Sequence, residues 1–152
     1  MAASSDAGTR SDARSAIVEA TARLLRDGGA AAVTTRAVAQ AAGVPAPTIF
    51  RIFGDKDGLM DAVAEHVMAT YVAAKSARAA EENGDPVDDL RAAWHDHLGF
   101  GLANPDLFVL LATPGRIAHS PATDAGADVL AARIGRLAAA GLLRVSESRA
   151  AG

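Results

Sequence analysis

Apolar residues recur every three or four positions along most of the chain, which is the spacing of a buried helix face. In residues 12–27 this face carries Ile17, Ala20 and Leu24, and two glycines follow it. The pattern predicts a first helix over these residues that ends at the glycine pair. Residues 1–11 are small and polar, so we expect a disordered arm before it.

Two short helices separated by a glycine are predicted next. Thr34 or Thr35 can cap a second helix that runs to about Ala41, because a threonine hydroxyl accepts a hydrogen bond from a free helix amide. Gly43 then provides a left-handed turn. A third helix follows over 45–53, and its prolines lie in the first turn, where proline is tolerated. This is the layout of a helix-turn-helix, whose second helix fits the DNA major groove.

Four further helices are predicted from caps and apolar spacing. Asp and Asn residues before prolines mark helix starts, and glycines mark helix ends. The predicted helices are a long fourth helix from Asp55 to Asn83-Gly84, a fifth from Asp85-Pro86 to about Ala103, a short sixth from Asn104-Pro105, and a seventh from about Ala122 to Ala140 after a loop over 113–121. Ser146 resembles the cap of an eighth helix. The predicted fold class is therefore all-α.

The composition agrees with this class and excludes several functions. Half of the residues are hydrophobic, but aromatic residues make up only 4%, and strand-forming runs are missing. The chain has no cysteine, which excludes disulfides and thiol chemistry. No uncharged apolar stretch approaches about 20 residues, and no secretory signal is present. We expect a soluble, cytoplasmic protein with no membrane partner.

The charge is unevenly distributed along the chain. Residues 10–56 contain seven basic and four acidic residues, a net charge of +3, whereas the whole chain has a net charge of −3. The residues outside this window therefore sum to −6. Positive charge around the helix-turn-helix favours contact with DNA phosphates.

The histidines and serines of the chain do not predict a catalytic or metal site. His95 and His97 point roughly 200° apart on a helix, so they cannot bind one ion together. We expect one of them to be buried and the other exposed. No serine lies in a nucleophile motif. The sequence therefore predicts no enzyme activity, no metal and no cofactor.

Residues 14–60 carry an ungapped series of motif residues. The series comprises Arg14-x-x-Ile17-x-x-Ala20, Leu24-Leu25, Gly28, Thr34-Thr35-Arg36-x-Val38-Ala39-x-x-Ala42-Gly43-Val44 and Thr48-Ile49-Phe50-x-x-Phe53-Gly54-x-Lys56-x-x-Leu59. It resembles the DNA-binding domain of the TetR family of bacterial transcriptional regulators. The resemblance implies a three-helix helix-turn-helix domain over 10–56, followed by a helical domain for effector binding and dimerisation over 57–152.

The resemblance also implies DNA-binding roles for individual residues. Thr35 would cap the second helix and contact a phosphate, and Lys56 would bind a phosphate at a helix N-terminus. Phe50 stands where the family usually has a tyrosine, so it is either packed on the DNA or part of the core. The implied DNA-binding residues are Thr35, Arg36, Ala46, Pro47, Thr48, Phe50, Arg51 and Lys56.

The partners implied by the resemblance are a palindromic double-stranded operator, an unknown small-molecule effector and a second copy of the chain. The family usually dimerises through two long C-terminal helices, and this chain stops near the start of the first, so it is either truncated or dimerises differently. An effector pocket or a plain core is predicted from Met68, Tyr71, Trp94, Leu98, Phe108, Leu111 and Ile134. The alternative function is a helical small-molecule-binding or interaction module that no longer reads DNA.

Overall fold

The computed structural model describes residues 3–81, 84–118, 120–146 and 149, and it contains seven helices and no strand within these residues. The all-α prediction is confirmed. The helices are α1 (Ala3–Ala32), α2 (Thr35–Ala42), α3 (Ala46–Phe53), α4 (Lys56–Glu81), α5 (Pro86–Ala103), α6 (Pro105–Ala112) and α7 (Pro121–Ala139).

Helix α1 is longer than predicted at both ends. It begins at Ala3, so the prediction of a disordered arm over residues 1–11 is wrong for the described part of that segment. Alanine and serine with no proline allow the helix to extend there. The predicted break at the glycine pair is confirmed, because Gly29 has a non-helical backbone with φ 68° and ψ −172°.

The first of two packed units combines the described residues of 1–67 with those of 104–117. Ile17 and Ala20 of the predicted α1 face are buried in its core, whereas Leu24 is half-buried and the adjacent Leu25 is buried instead. Helix α6 packs against α1. The Thr21 hydroxyl is fully buried and donates to the Ile17 carbonyl at 2.8 Å, which satisfies its hydrogen-bonding need inside this core. The largest buried side chains of the unit include Ile17, Val38, Ile49, Leu59, Val63, Leu107 and Leu110.

The second unit combines 68–103 with the described residues of 118–152, and its helices are the end of α4, α5 and α7. Val72, Ala93, Ile134 and Leu137 are buried in it. The packing thus divides α4 after Val67 and assigns α6 to the first unit. The boundary between the expected DNA-binding domain (10–56) and the expected effector and dimerisation domain (57–152) stays a prediction.

Side-chain caps begin four of the described helices, α2 among them, and the sequence predicted three of these caps. Asp55 Oδ1 accepts from the Gly58 amide at 2.8 Å, and Asp85 Oδ1 accepts from the Val87 amide at 2.8 Å. Ser120 Oγ accepts from the Thr123 amide at 3.1 Å at the start of α7. The predicted end at Asn83 and most of the predicted eighth helix lie outside the described residues.

No helix in the described part of the chain combines the length and the apolarity that crossing a bilayer requires.

Candidate functional site

The start of α2 is capped by Thr34. Its Oγ1 accepts a hydrogen bond from the Ala37 amide at 3.1 Å, and its backbone is extended. The prediction that Thr35 is the cap is therefore wrong, because Thr35 is already the first helical residue. Thr35 and Arg36 are both exposed at this helix end, so their side chains are accessible to a ligand outside the protein.

The turn between α2 and α3 has the predicted left-handed glycine. Gly43 has φ 67° and ψ 31°, and the Val44 amide donates to the Ala39 carbonyl at 3.1 Å. This pattern satisfies the last carbonyls of α2. Pro45 follows with an extended backbone, and Pro47 lies in the first turn of α3 as predicted.

Helix α3 has one buried side and one exposed side. Ile49 is only 4% exposed and anchors the helix in the first unit, whereas Phe50 is 50% exposed. Pro47 and Arg51 are also exposed. The side chains named as DNA-facing are exposed or half-buried, and none is enclosed in the core; the half-buried members of the set are Ala46 and Thr48.

Phe53, at the end of α3, is half-buried. The Arg14 guanidinium lies 5.5 Å from the centre of its ring, a cation–π contact. This contact engages the guanidinium of the exposed Arg14.

The junction between α3 and α4 is tightly packed. Gly54 has φ 79°, and its amide donates to the Phe50 carbonyl at 2.8 Å. A Cβ on Gly58 would lie 2.2 Å from the Phe53 carbonyl oxygen, so only glycine fits there. Lys56 is exposed at the first position of α4. Gly58 was not among the residues predicted from the sequence to matter, although a glycine inside a helical pattern often has a packing reason.

A small cleft in the first unit brings together residues that are distant in sequence. Three of the implied DNA-binding residues line it, namely Thr35 of α2, Phe50 of α3 and Lys56 of α4. The exposed Phe50 ring thus lies beside the cationic start of α4 and is not in the core. Arg36, Ala46, Pro47, Thr48 and Arg51 do not line this cleft.

Arg116, which follows α6, forms ion pairs with the first two turns of α4. Its Nη1 lies 2.5 Å from Asp61 Oδ1, and its Nη2 lies 3.6 Å from Asp57 Oδ1. The Arg116 side chain is only 16% exposed. These pairs hold the start of α4, where Lys56 lies, and they partly neutralise two carboxylates near that lysine. No feature of the local sequence predicted them.

The second unit contains a cavity of about 410 Å³ between α4, α5 and α7. Met68, Tyr71 and Trp94 line it, as the sequence interpretation proposed. The cavity also exposes two cationic side chains that the interpretation missed, Lys75 and Arg133. The remaining lining residues are Val72, Leu90, Ala93, His97, Thr123, Gly126, Ala127, Val129 and Leu130.

The other four residues of the predicted pocket do not line this cavity. Phe108 and Leu111 belong to α6, which packs in the first unit. Ile134 is buried in the core of the second unit, and Leu98 is exposed. Helical spacing identified these positions as apolar, but it could not determine which helix each one faces.

A hydrogen bond joins two titratable groups of the cavity wall. The Tyr71 hydroxyl lies 2.6 Å from His97 Nδ1. Burial and the charge of Asp96 raise the pKa of Tyr71. Burial and the charge of Lys75 lower the pKa of His97 from its usual 6.5. His97 is half-buried and His95 exposed, and no cluster able to hold a metal is found among the described residues.

We expect His97 to reduce stability in acid. Because its folded pKa is lowered, the unfolded chain takes up the proton first as the pH falls through 6.5, and the folded state loses stability from there to the folded pKa. Urea unfolding at pH 7.5 and pH 5.5 should show a smaller acid loss for His97→Gln than for the wild type. The exposed His95→Gln should retain the wild-type loss. Equal acid losses in all three proteins would contradict this assignment.

A capped α2, a glycine turn and an α3 with an exposed outer side define a helix-turn-helix domain. Residues 17–63 match the family described as "Bacterial regulatory proteins, tetR family". These residues include all of α2 and α3, the second half of α1 and the start of α4. The helix-turn-helix of this chain thus lies within the segment that is similar to the tetR family.

Curated relatives and solved structures agree with this match. The chain is 35% identical over 85 residues to the HTH-type transcriptional regulator BetI of Burkholderia ambifaria (strain MC40-6), a segment covering 56% of this chain and 44% of that protein. A possible TetR family transcriptional regulator from Streptomyces coelicolor A3(2) superposes with a TM-score of 0.65 at 28% identity, covering 91% of this chain and 62% of that chain. A TetR family transcription regulator from Marinobacter aquaeolei VT8 has a TM-score of 0.60 at 25% identity, with 88% and 72% covered.

The chain is thus similar to tetR-family regulators in sequence over its helix-turn-helix segment, and in fold to one solved structure over 91% of its length. The matched segment spans less than half of the length of the curated relative.

Proposed function

We propose that this protein is a cytoplasmic transcriptional regulator that binds a palindromic operator as a homodimer and is released by a small-molecule effector. The observation that carries the proposal is the two-sided α3, in which Ile49 is buried and Phe50 and Arg51 are exposed. A helix anchored on one side and free on the other is what entry into a major groove requires.

The exposed residues divide into two roles in DNA binding. Arg51 can bind guanine through two hydrogen bonds, and the Thr48 methyl can contact a thymine methyl. Ala46 and Pro47 lie beside them at the front of α3, where base edges would approach. These contacts specify sequence, whereas phosphate contacts position the protein on the duplex.

The phosphate contacts are proposed at the starts of α2 and α4. Thr35 and Arg36 are exposed at the first of these helix ends, and Lys56 is exposed at the second. The free amides of a helix N-terminus attract a phosphate, which adds to the lysine charge. Phe50 has no hydroxyl for a phosphate, so its ring is assigned to packing against sugar or a thymine methyl.

A homodimer follows from the proposed palindrome, since a two-fold operator needs a two-fold protein. Its two α3 helices would enter successive major grooves about 34–36 Å apart. Effector control is assigned to α4, because this helix contributes Lys56 to the DNA site and Met68, Tyr71 and Lys75 to the cavity. An effector that binds one arrangement of α4 more tightly would shift the population towards it.

Selection of bound DNA from a random pool tests this function. We expect the selected fragments to share a palindrome, and a gel shift at low salt to show a retarded complex with it. If micromolar protein retards no DNA, the DNA-binding proposal fails and a helical small-molecule-binding or interaction module is favoured. A bound but non-palindromic sequence would contradict the homodimer alone.

A further inference from the structure

The cavity of the second unit has an apolar wall with two positive charges. Most of its lining is aliphatic or aromatic, including Leu90, Trp94 and Val129. Lys75 of α4 and Arg133 of α7 also line it, and Arg133 is only 6% exposed. Its volume of about 410 Å³ lies in the range of small-molecule sites. None of the described residues that line it is acidic.

The two cations act on each other. Burial and, after it, the positive charge of Arg133 lower the pKa of Lys75, although the charge of Asp96 opposes this. Like charges in a poorly solvated site repel each other, and an anion between or beside them removes that penalty. The arrangement therefore has an unfavourable electrostatic interaction that a bound anion would relieve.

The nearby carboxylates are engaged with other arginines. Asp96 Oδ2 lies 2.6 Å from Arg78 Nη1, and Asp89 Oδ2 lies 3.2 Å from Arg136 Nη2. Neither of these arginines lines the cavity. Within the described part of the chain, no carboxylate forms a salt bridge with Lys75, whose Nζ lies 4.6 Å from the centre of the Tyr71 ring. Asp96 and Asp89 therefore form their ion pairs with arginines outside the cavity lining and not with Lys75.

We propose that the effector is an amphipathic anion of small-molecule size, with a carboxylate bound by Lys75 and Arg133 and an apolar body against Leu90, Trp94 and Val129. This inference rests on the proposed effector role of the cavity and adds the chemical class of the ligand. The charged head forms charge-assisted hydrogen bonds, and the body gains from leaving water. Aromatic rings also attract organic cations, but Lys75 and Arg133 oppose that binding.

Three small molecules that have the same alkyl chain length and different head groups test the class of ligand. They are octanoate, 1-octanol and octylammonium, each added to the full protein at pH 7.5. The fluorescence of Trp94, the one tryptophan of the chain, reports binding because this residue lines the cavity. We expect octanoate to bind at least about tenfold more tightly than octanol, and octylammonium to bind most weakly.

Two charge-matched variants locate the head group. Lys75→Met removes the ammonium and keeps an unbranched apolar side chain, so it should reduce octanoate affinity to about that of octanol while leaving octanol binding unchanged. Arg91→Met removes one charge from an exposed residue of α5 outside the cavity and should bind octanoate like the wild type. Circular dichroism checks that both variants are folded.

Each contrary outcome has a separate meaning. Equal or tighter binding of octanol or octylammonium would overturn the anion assignment and leave the effector cavity in place. An octanoate preference that survives in Lys75→Met would overturn the role of that lysine and the proposal with it. Failure of all three probes to bind at millimolar concentration would overturn both this inference and the effector role. Selection of bound DNA from a random pool tests the DNA-binding proposal independently of these ligand measurements.

Discussion

Arg51→Ala is expected to weaken operator binding by about 5- to 150-fold for each half-site, because each protomer loses one two-bonded base contact worth roughly 1–3 kcal/mol. Arg51 is exposed on α3, one position after Phe50 and two after the buried Ile49. Its loss should also relax the base preference at one position of each half-site. A gel shift with the selected operator and single-base variants measures both effects.

Lys56→Ala is the matched comparison, since it removes one positive charge from a proposed phosphate contact. It should weaken binding to all sequences to the same degree and leave the base preference unchanged. The salt dependence separates the two roles. With about three phosphates neutralised per protomer, the logarithmic slope of a dimer is roughly −5, and losing one contact per protomer should reduce it by about 0.9 for each.

The exposed Arg91 of α5 lies outside the proposed interface, so Arg91→Ala should bind the operator like the wild type. If Arg51→Ala weakened operator and random DNA equally, the base-reading role of Arg51 would be wrong and a phosphate contact would replace it. If it changed neither, α3 would not be the reading helix.

Gly58→Ala is expected to destabilise the protein by about 1–3 kcal/mol, the usual cost of forcing an extra methyl group into a packed site. Its Cβ would lie 2.2 Å from the Phe53 carbonyl oxygen. Backbone cannot rotate away as a flexible side chain can, so the end of α3 or the start of α4 must shift. Urea unfolding of the two proteins measures the loss.

Gly99→Ala is the control for the same chemical change. Gly99 is also helical, and a Cβ there would meet nothing within 4 Å. Alanine should therefore raise stability by about 0.5–1 kcal/mol through its higher helix propensity. Opposite signs for the two variants would identify the contact with Phe53 as the cause. Stabilisation by Gly58→Ala would show that α3 and α4 are not packed this closely.

The same variant has a functional consequence. Phe50 and Lys56 lie on either side of this junction and line one cleft, so a shift there moves both from the positions proposed for DNA binding. Operator affinity of folded Gly58→Ala should fall, whereas octanoate binding in the second unit should not change. Loss of both activities would indicate unfolding instead.

The helices and their ends were predictable because their causes are local. Apolar spacing placed all seven helices, and caps such as Asp55 and Asp85 accept hydrogen bonds from amides only two or three residues away. Gly43 takes the left-handed turn that its position demanded. The errors were also local, such as Thr35 in place of Thr34 as a cap, because two adjacent threonines have the same chemistry.

The sites were predictable only in part, because their contacts are not local. Arg116 pairs with Asp61 across 55 positions, and Tyr71 pairs with His97 across 26. Helical spacing tells which residues share a face but not which helix that face meets. This is why Phe108 and Leu111 were assigned to the pocket while α6 packs in the first unit.

By itself, the sequence of this protein determined the all-α class and the helix-turn-helix, since hydrogen bonds and apolar spacing within a few residues control them. The tertiary structure alone decided that Lys75 and Arg133 share one cavity, that Arg116 holds the start of α4 and that Gly58 admits no side chain. Those features arise when separate helices pack together and bring distant charges and backbone atoms into contact.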